Sequence, residues 1–340
     1  EDVKEGRFSP AVVYDGDTPV EYASVPLTCY EGKGYRRETF ESISTLLENY
    51  YASRDTITRI RQKSSDLRRI VQTALERSCK KYDLQLKQLK DTEKREKYRI
   101  YGELLNTYGY ELKGGEKSFK CINYYDNEEI TIPLDPQLTA RENAQKHFDK
   151  YNKLKRTYEA LSQLTMETKA EVDHLESVSS ALDIALEEND LVQIKEELME
   201  FGYVKKRRAN EKRPKITSKP FHYISSDGYD IFVGKNNYQN EELTFKVASG
   251  NDWWFHAKGI PGSHAIVKSN GQADLPDRVF EEAGALAAYY SKGRENDKVE
   301  IDYIQKKNIK KVAGAAPGFV IYHTNYSLVA SPRCDLKEVK

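Results

Sequence analysis

The sequence has few cysteines and no long hydrophobic run. Its four cysteines are scattered, at Cys29, Cys79, Cys121 and Cys334, without a CxxC pair or the histidine spacing of a zinc site. This spacing supports neither a disulfide framework nor a metal centre, and it fits a reducing cytoplasm. No apolar segment approaches the roughly 18 residues that a membrane span requires, so we expect no membrane partner.

Motifs for catalysis are missing as well. The best candidate nucleophile, Ser263, stands in the sequence PGSH, which lacks the GxSxG pattern of a nucleophile elbow. The adjacent His264 would point to the opposite face of a strand, which is poor geometry for proton transfer. No glycine-rich segment ends in the Gly-Lys-Ser/Thr of a phosphate-binding loop. We therefore expect a protein that is not an enzyme and has no catalytic residues, cofactor or metal.

The charge distribution is uneven, although the 340 residues carry no net charge. Charged residues make up 32% and mean hydropathy is −0.77, which is too polar for one compact globule, so an extended part is expected. Residues 205–340 carry 23 basic and 16 acidic side chains, net +7, and the remainder is net −7. The basic end suits a polyanionic partner.

Residues 1–38 contain two apolar segments, 8–14 and 20–28, around an Asp-Gly turn that is typical of a β-hairpin. A lone hairpin is marginally stable in water, so we expect the other strands of its sheet before Glu1, which is not a methionine. This region is interpreted as the remaining strands of a longer N-terminal domain.

Residues 39–112 predict one long helix, because they contain no proline and only two glycines, Gly102 and Gly109. Apolar or small residues recur in it about every 3.67 positions, which predicts a nearly straight seam. The seam positions are Val71, Leu75, Ser78, Tyr82, Leu86, Leu89, Glu93, Lys97, Ile100 and Leu104.

Residues 138–204 predict a return helix, with a heptad from Leu154 to Leu186, followed by a short helix that Asp190 can cap. Between the helices, residues 113–137 predict a small β tip. The first helix is net +4 and the return segment net −6, which favours an antiparallel coiled-coil hairpin, called here the arm. Pairing between two chains is the alternative.

Residues 205–219 form a basic linker, which is either simply solvated or a segment that follows phosphates. Residues 220–340 show short strands and one helix, predicting a compact α+β module in which an antiparallel sheet packs on a helix. The predicted strands are 221–224, 229–233, 243–248, 253–257, 264–268, 299–303 and 319–322, and the predicted helix is 278–292.

Residues 251–264, NDWWFHAKGIPGSH, combine aromatic rings, histidines and a Pro-Gly-Ser turn. Such residues can form a nucleic-acid surface, but they equally suit a buried strand, turn and strand. Because side chains alternate along a strand, Trp253 and Trp254 should lie on opposite faces, with Trp254 inward.

With its flanks, this segment resembles the RNA-binding module of the NFACT family of ribosome quality control factors. The matching residues are Asp227, Gly228, Gly234, Asn236, Asn237, Asn240, Asp252, Trp254, Phe255, His256, Pro261, Gly262, Ser263, His264, Ala287, Ala288, Tyr290, Ser291, Lys292, Asp302, Tyr303, Pro317 and Gly318. Lys235 departs from the arginine that is frequent in the family, and Lys lacks the planar fork of Arg.

The resemblance implies a cytoplasmic factor that binds the large ribosomal subunit carrying a stalled nascent chain. In the full-length protein, it implies recruitment of alanyl-tRNA for untemplated C-terminal alanine tailing. Some relatives are named for fibronectin binding, so a surface adhesin with fibronectin as partner is the alternative. The predicted RNA-binding residues are Lys235, Asn236, Asn237, His256, Ser263, His264, Lys306, Lys307, Lys310, Lys311, Lys205, Lys206, Arg207 and Arg208. The predicted ribosome contacts of the arm are Arg77, Lys80, Lys81, Lys87 and Lys90.

Overall fold

The protein is a mixed α+β chain that forms two compact units. Unit 1 combines Glu1–Leu75 with Asp173–Lys340, and unit 2 is Glu76–Val172. Among the described residues, no helix has an apolar stretch sufficient to cross a membrane. The computed structural model describes residues 4–15, 18–207, 215–272 and 274–339.

The N-terminal sheet has three antiparallel strands, β1 (Ala11–Asp15), β2 (Thr18–Ala23) and β3 (Arg36–Thr39), in the order β2-β1-β3. The predicted hairpin is present, and β1 also pairs with β3, a strand that was not predicted from the sequence. That strand, RRET, is fully exposed. Because it contains no apolar residue, its sequence carries no alternating hydrophobic pattern.

The helical part has two long segments joined through the predicted β tip. The first segment is interrupted by a turn at Glu93 and Lys94, where the sequence predicted a continuous helix. The elements are α1 (Ile43–Thr92), α2 (Arg95–Tyr108), β4 (Ser118–Ile122), β5 (Glu129–Pro133), α3 (Ala140–Ile184) and α4 (Glu188–Glu200).

Within each unit the helical segments pack antiparallel, as predicted. In unit 1, Arg68 donates to the carboxylate of Asp183, and Lys63, earlier on α1, pairs at 2.5 Å with Glu188, which lies later in the chain. In unit 2, the guanidinium of Arg95 lies 4.0 Å from the ring centroid of Tyr158. Further along α2, Tyr101 meets His147 at 5.2 Å between ring centroids, so residue numbers rise on one helix as they fall on the other.

The predicted seam of the first helix is wrong in its middle. Leu86 is 41% exposed, and Glu93 and Lys97 are also exposed. The buried positions instead repeat every seven residues, which is a heptad. These positions are Ser64, Val71, Ser78, Gln85 and Thr92. Val71 and Ser78 belong to the predicted seam, whereas the polar Gln85 and Thr92 were missed because a hydrophobic pattern does not reveal them.

The C-terminal module is built on a six-stranded antiparallel sheet in the order β13-β10-β8-β9-β7-β6. Helix α6 covers one face, where Val279, Ala283 and Ala287 join the same core cluster as Ile231 and Val267. The elements are β6 (Phe221–Ile224), β7 (Asp230–Val233), α5 (Asn237–Glu242), β8 (Trp253–Ala257), β9 (Ala265–Val267), α6 (Asp277–Tyr289), β10 (Val299–Gln305), β11 (Lys310–Lys311), β12 (Val320–Ile321) and β13 (Tyr326–Ala330).

The strand predicted at 243–248 is wrong, because Leu243–Val247 continues α5 as a π-helical turn. Helix α5 begins where the side chain of Asn236 accepts a hydrogen bond from the backbone N–H of Gln239, an N-cap. This cap starts a helix that continues through the sequence LTFKV, although several of these residues favour a β-strand. The edge strand β13 was not predicted from the sequence.

Candidate nucleic-acid interface

Trp253 and Trp254 lie on opposite faces of β8, as predicted. Trp254 is 1% exposed and packs in a core cluster with Leu243 and Ile266. Trp253 is half-buried on the α6 side, where its ring centroid lies 5.0 Å from that of Phe280. Both tryptophans therefore stabilise the module, and neither is a fully exposed stacking platform.

His256 and His264 were expected to form part of an anion-facing surface. Instead, the two rings meet at 5.4 Å beside Trp254, and His264 Nδ1 lies 2.8 Å from the hydroxyl of Thr244. Burial lowers the pKa of His256 to about 4 and holds the pKa of His264 well below its usual value. Both rings are neutral at pH 7, so they bring no positive charge to a phosphate.

The segment 234–240, called here the anchor loop, holds the module against the helices of unit 1. Asn236 Nδ2 donates to Gln193 Oε1 at 2.8 Å. Asn237 Nδ2 donates to Glu197 Oε1 at 2.7 Å and to Ser177 Oγ at 2.8 Å. All three acceptors lie on α3 or α4. Such amides can be buried because their hydrogen bonds are made within the chain.

Lys235 is also buried in this network. Its ammonium lies 3.5 Å from Asp190 Oδ1 and 4.5 Å from the ring centroid of Phe221. The N-cap of α4 is Glu187 and not the predicted Asp190, which lies at the third helical position and accepts from the backbone N–H of Glu187 in a capping box. Ser218 also donates to Asp190 at 2.6 Å. Ser263 donates to the backbone oxygen of Gly234 at 2.5 Å. Five of the predicted RNA-binding residues are therefore buried and do not present their side chains to solvent: Lys235, Asn236, Asn237, Ser263 and His264.

The partners of the anchor loop on α4 were not recognised in the sequence. Asp190, Gln193 and Glu197 recur at three- and four-residue spacing, which places them on one face of that helix. The spacing of these three polar residues is the sequence feature that could have indicated a polar interface on this helix.

A second group of predicted RNA-binding residues in the module, called here the lysine face, consists of Lys306, Lys307, Lys310 and Lys311. Lys306 is half-buried and the other three are exposed. Lys311 pairs with Glu241 at 2.6 Å. Lys307 and Lys310 have no acidic partner among the described residues. Two free ammonium groups on a short hairpin and its preceding turn can donate to phosphates without breaking an internal ion pair.

The start of the basic linker is partly accessible. Lys205 and Lys206 are exposed, whereas Arg207 is half-buried and bonded to Glu196. Arg208 lies outside the described residues.

On the arm, all five predicted contact residues are exposed on α1 within unit 2. Lys80 and Lys87 each lie two residues beyond the buried Ser78 and Gln85, and two residues correspond to about 200° around a helix. These lysines therefore lie opposite the seam. The remaining three, also exposed, are Arg77, Lys81 and Lys90.

Comparisons with known proteins agree with this division. A family model described as NFACT N-terminal and middle domains matches residues 1–217, and one described as NFACT protein RNA binding domain matches residues 219–323. A Streptococcus suis (strain 05ZYH33) protein described as Rqc2 homolog RqcH is 42% identical over 326 residues, which are 95% of this chain and 57% of that protein. A Bacillus subtilis (strain 168) protein of the same description is 35% identical over 338 residues, which are 98% of this chain and 58% of that protein.

Among solved structures, the C-terminal part of the fibronectin/fibrinogen-binding protein from Streptococcus suis is similar, with a TM-score of 0.64 and 38% identity. The match covers 82% of this chain and 97% of that chain. The chain spans somewhat more than half the length of the two curated relatives.

Proposed function

Because the chain belongs to the NFACT family, we propose that it acts in ribosome quality control by binding the large ribosomal subunit that carries a stalled nascent chain. In a protein of its relatives' full length, it takes part in recruiting alanyl-tRNA and directing untemplated C-terminal alanine tailing for degradation. It acts in the cytoplasm as an RNA-binding factor and not as an enzyme.

The observation that carries this proposal is the lysine face on a module matched as RNA-binding. Lys307 and Lys310 are exposed and lack acidic partners among the described residues. RNA affinity comes largely from neutralised phosphates, and each neutralised phosphate adds to the salt dependence of binding. The lysine face therefore contacts the RNA backbone, with Lys205 and Lys206 at the start of the linker as further phosphate contacts.

The buried residues of the anchor loop have a different role in this proposal. Lys235, Asn236 and Asn237 fix the module to α3 and α4 of unit 1 by hydrogen bonds of 2.7–2.8 Å and by one ion pair. They contribute to RNA binding by positioning the lysine face and not by touching the RNA. The neutral His256 and His264 likewise support the core beneath it.

The arm provides a second RNA contact. Residues 77–112 and 138–173 together carry 16 basic and 12 acidic side chains, whereas 40–76 and 174–203 carry 7 and 13. Helix pairing requires only opposite charges across the seam, so it does not explain this gradient along the helices. A basic distal part suits rRNA, and an acidic proximal part is repelled by it.

The test compares two charge-matched double variants of the whole chain. Lys307→Glu with Lys310→Glu should weaken binding to a single-stranded RNA and lower the slope of log K against log salt by about 1.4, which is roughly 0.7 for each lost contact. Lys298→Glu with Lys337→Glu changes the charge equally at two other exposed lysines of the module. Equal loss in both pairs, or no loss in the first, contradicts the lysine face.

A second candidate function is fibronectin capture, which the description of the Streptococcus suis structure favours. An adhesin would retain fibronectin after nuclease treatment, and its binding would not depend on Lys307 and Lys310. An RNA-binding factor would capture RNA or ribosomal particles with an affinity that falls steeply with salt. Measuring both ligands on one preparation separates the two functions.

A further inference from the structure

A polar cleft in unit 1 lies outside both proposed RNA contacts. It has a volume of about 580 Å³ and is lined by residues of α1, of α3 and of the loop that follows α6. An adjoining cavity of about 100 Å³ shares several of its lining residues, including Arg61, Arg68 and Arg294. The combined space, called here the arginine cleft, falls within the size range of small-ligand sites in proteins.

Ion pairs within the cleft engage only part of its positive charge. Arg68 is bonded to Asp183, and Lys292 pairs with Glu176 at 2.9 Å. Arg61, from α1, has no acidic partner among the described residues. Arg294 lies with its guanidinium carbon 4.0 Å from the ring centroid of Tyr289 and donates to that hydroxyl group.

Four basic and three acidic side chains line the larger cavity, so its side-chain charge is +1. The third acid, Glu295, is exposed. Arg61 and Arg294 therefore approach one space from two elements, and neither guanidinium is paired with a carboxylate of the described residues. The hydroxyl groups of Ser179 and Ser180 line the same cavity and offer further hydrogen bonds.

We propose that the arginine cleft binds a phosphate group, with Arg61 and Arg294 donating to its oxygens. A guanidinium presents parallel N–H groups that match two phosphate oxygens, and it remains charged at any physiological pH. The Tyr289 ring orients Arg294, so less side-chain freedom is lost on binding. The phosphate is either the terminal group of a free nucleotide or a phosphodiester of an RNA strand.

A phosphate bound in the arginine cleft also helps to anchor the module. Because Arg61 belongs to α1 and Arg294 to the loop after α6, one bound phosphate bridges the helices and the module within unit 1. The ligand thus acts as a further link beside the anchor loop and raises the thermal stability of the unit. The inference rests on the proposed function only if the phosphate comes from RNA, and in neither case does it involve the lysine face.

The experiment measures binding of two probes to the whole chain: fluorescent ADP, and a labelled eight-nucleotide RNA without a terminal phosphate. The variants are Arg61→Gln, Arg294→Gln and their combination. Arg69→Gln is the matched control, since Arg69 lies on the same helix, is exposed and pairs with Asp66. Loss of a charge-assisted hydrogen bond lowers affinity by roughly tenfold or more, so each single variant should lose about that factor and the control should not.

The probes distinguish the two phosphate sources. Loss confined to ADP supports a nucleotide site, and loss confined to RNA supports a backbone contact. Because Arg294 also packs on Tyr289, circular dichroism of each variant checks that the fold is intact. Arg294→Lys is added as a variant that keeps the positive charge. Arginine variants that bind both probes as well as the control overturn the inference, as does parent protein that binds neither. Lys307→Glu with Lys310→Glu leaves ADP binding unchanged, so failure of the lysine face is separately visible.

Discussion

Removing the indole of Trp254 should destabilise the C-terminal module by about 3–5 kcal/mol, the range for large-to-small changes in a core. The residue is 1% exposed, and its ring centroid lies 5.0 Å from that of His264 and 5.3 Å from that of Tyr322. Burying about 150–250 Å² of aromatic surface at about 25 cal/mol per Å² gives roughly 4–6 kcal/mol, an upper value.

The indole nitrogen of Trp254 reduces this contribution. Its Nε1 is buried and has no hydrogen-bond partner within the part of the chain that the structure describes, and an unsatisfied donor costs about 1–3 kcal/mol. Trp254→Phe removes this donor and keeps most of the ring, so it should cost at most about half as much as Trp254→Ala. Trp253→Ala should also cost less, because that residue is only half-buried.

Native-state hydrogen exchange read on the amides of β8 and β10 measures these free energies without tryptophan fluorescence, which the substitutions themselves alter. It also reports on the module separately from the helices, whose unfolding dominates circular dichroism. A loss of less than about 1 kcal/mol in Trp254→Ala would refute the core assignment. If Trp254→Phe proved as damaging as Trp254→Ala, the argument from the unsatisfied donor would fail.

Three further predictions concern other parts of the molecule. Since the pKa of His256 is lowered to about 4 and that of His264 also lies well below its usual value, the unfolded chain binds protons that the folded chain does not. Stability should therefore fall as the pH drops from about 6.5 toward 4, by up to about 3 kcal/mol for His256. Gly102→Ala should destabilise unit 2 by about 1–3 kcal/mol, although alanine normally favours a helix, because the added Cβ would lie 2.7 Å from the ring of Phe148. Reversing five basic residues of the arm should weaken association with the large ribosomal subunit in a salt-sensitive way while helicity is retained. These residues are Arg77, Lys80, Lys81, Lys87 and Lys90.

Each of the three has a direct check. Urea unfolding at several pH values should show a flatter pH dependence in His256→Gln, and an unchanged dependence would rule out this histidine as the cause. The control for Gly102 is Gly115→Ala at the tip, where an added Cβ meets no atom of the described residues within 4 Å but φ is +91°. There the cost is backbone strain and not a clash. Sedimentation with ribosomal particles tests the arm, and binding equal to that of the parent at every salt concentration would exclude it as a contact.

The sequence predicted the fold where apolar residues follow a regular period. The heptad from Leu154 to Leu186 lies on buried or half-buried positions of α3 and the residues just after it, and the strands of the tip are Ser118–Ile122 and Glu129–Pro133. Prediction failed where polar residues fill buried positions, as at Gln85 and Thr92. A hydrophobic pattern cannot reveal such positions.

The sequence indicated the polarity of the candidate site residues but not which of them are exposed. Lys235, Asn236 and Asn237 have the polarity of an RNA contact, and only the tertiary structure reveals that α4 provides their partners. Whether an amide or a lysine faces water depends on residues about 40 positions away in the chain, which local sequence does not encode. Lys307 and Lys310, in contrast, lie in a short polar segment. Such a segment is typical of a protein surface, and both lysines are exposed.

Site-specific photo-crosslinking to ribosomal particles tests the central claim most directly. A protein of the relatives' full length would carry the crosslinker at Lys310 on the lysine face, at Lys87 on the arm, or at Lys298 as an exposed control. The account predicts crosslinks to RNA of the large subunit from the first two positions and few from the third. Crosslinks that are equal at all three positions, or absent from the large subunit, would contradict it.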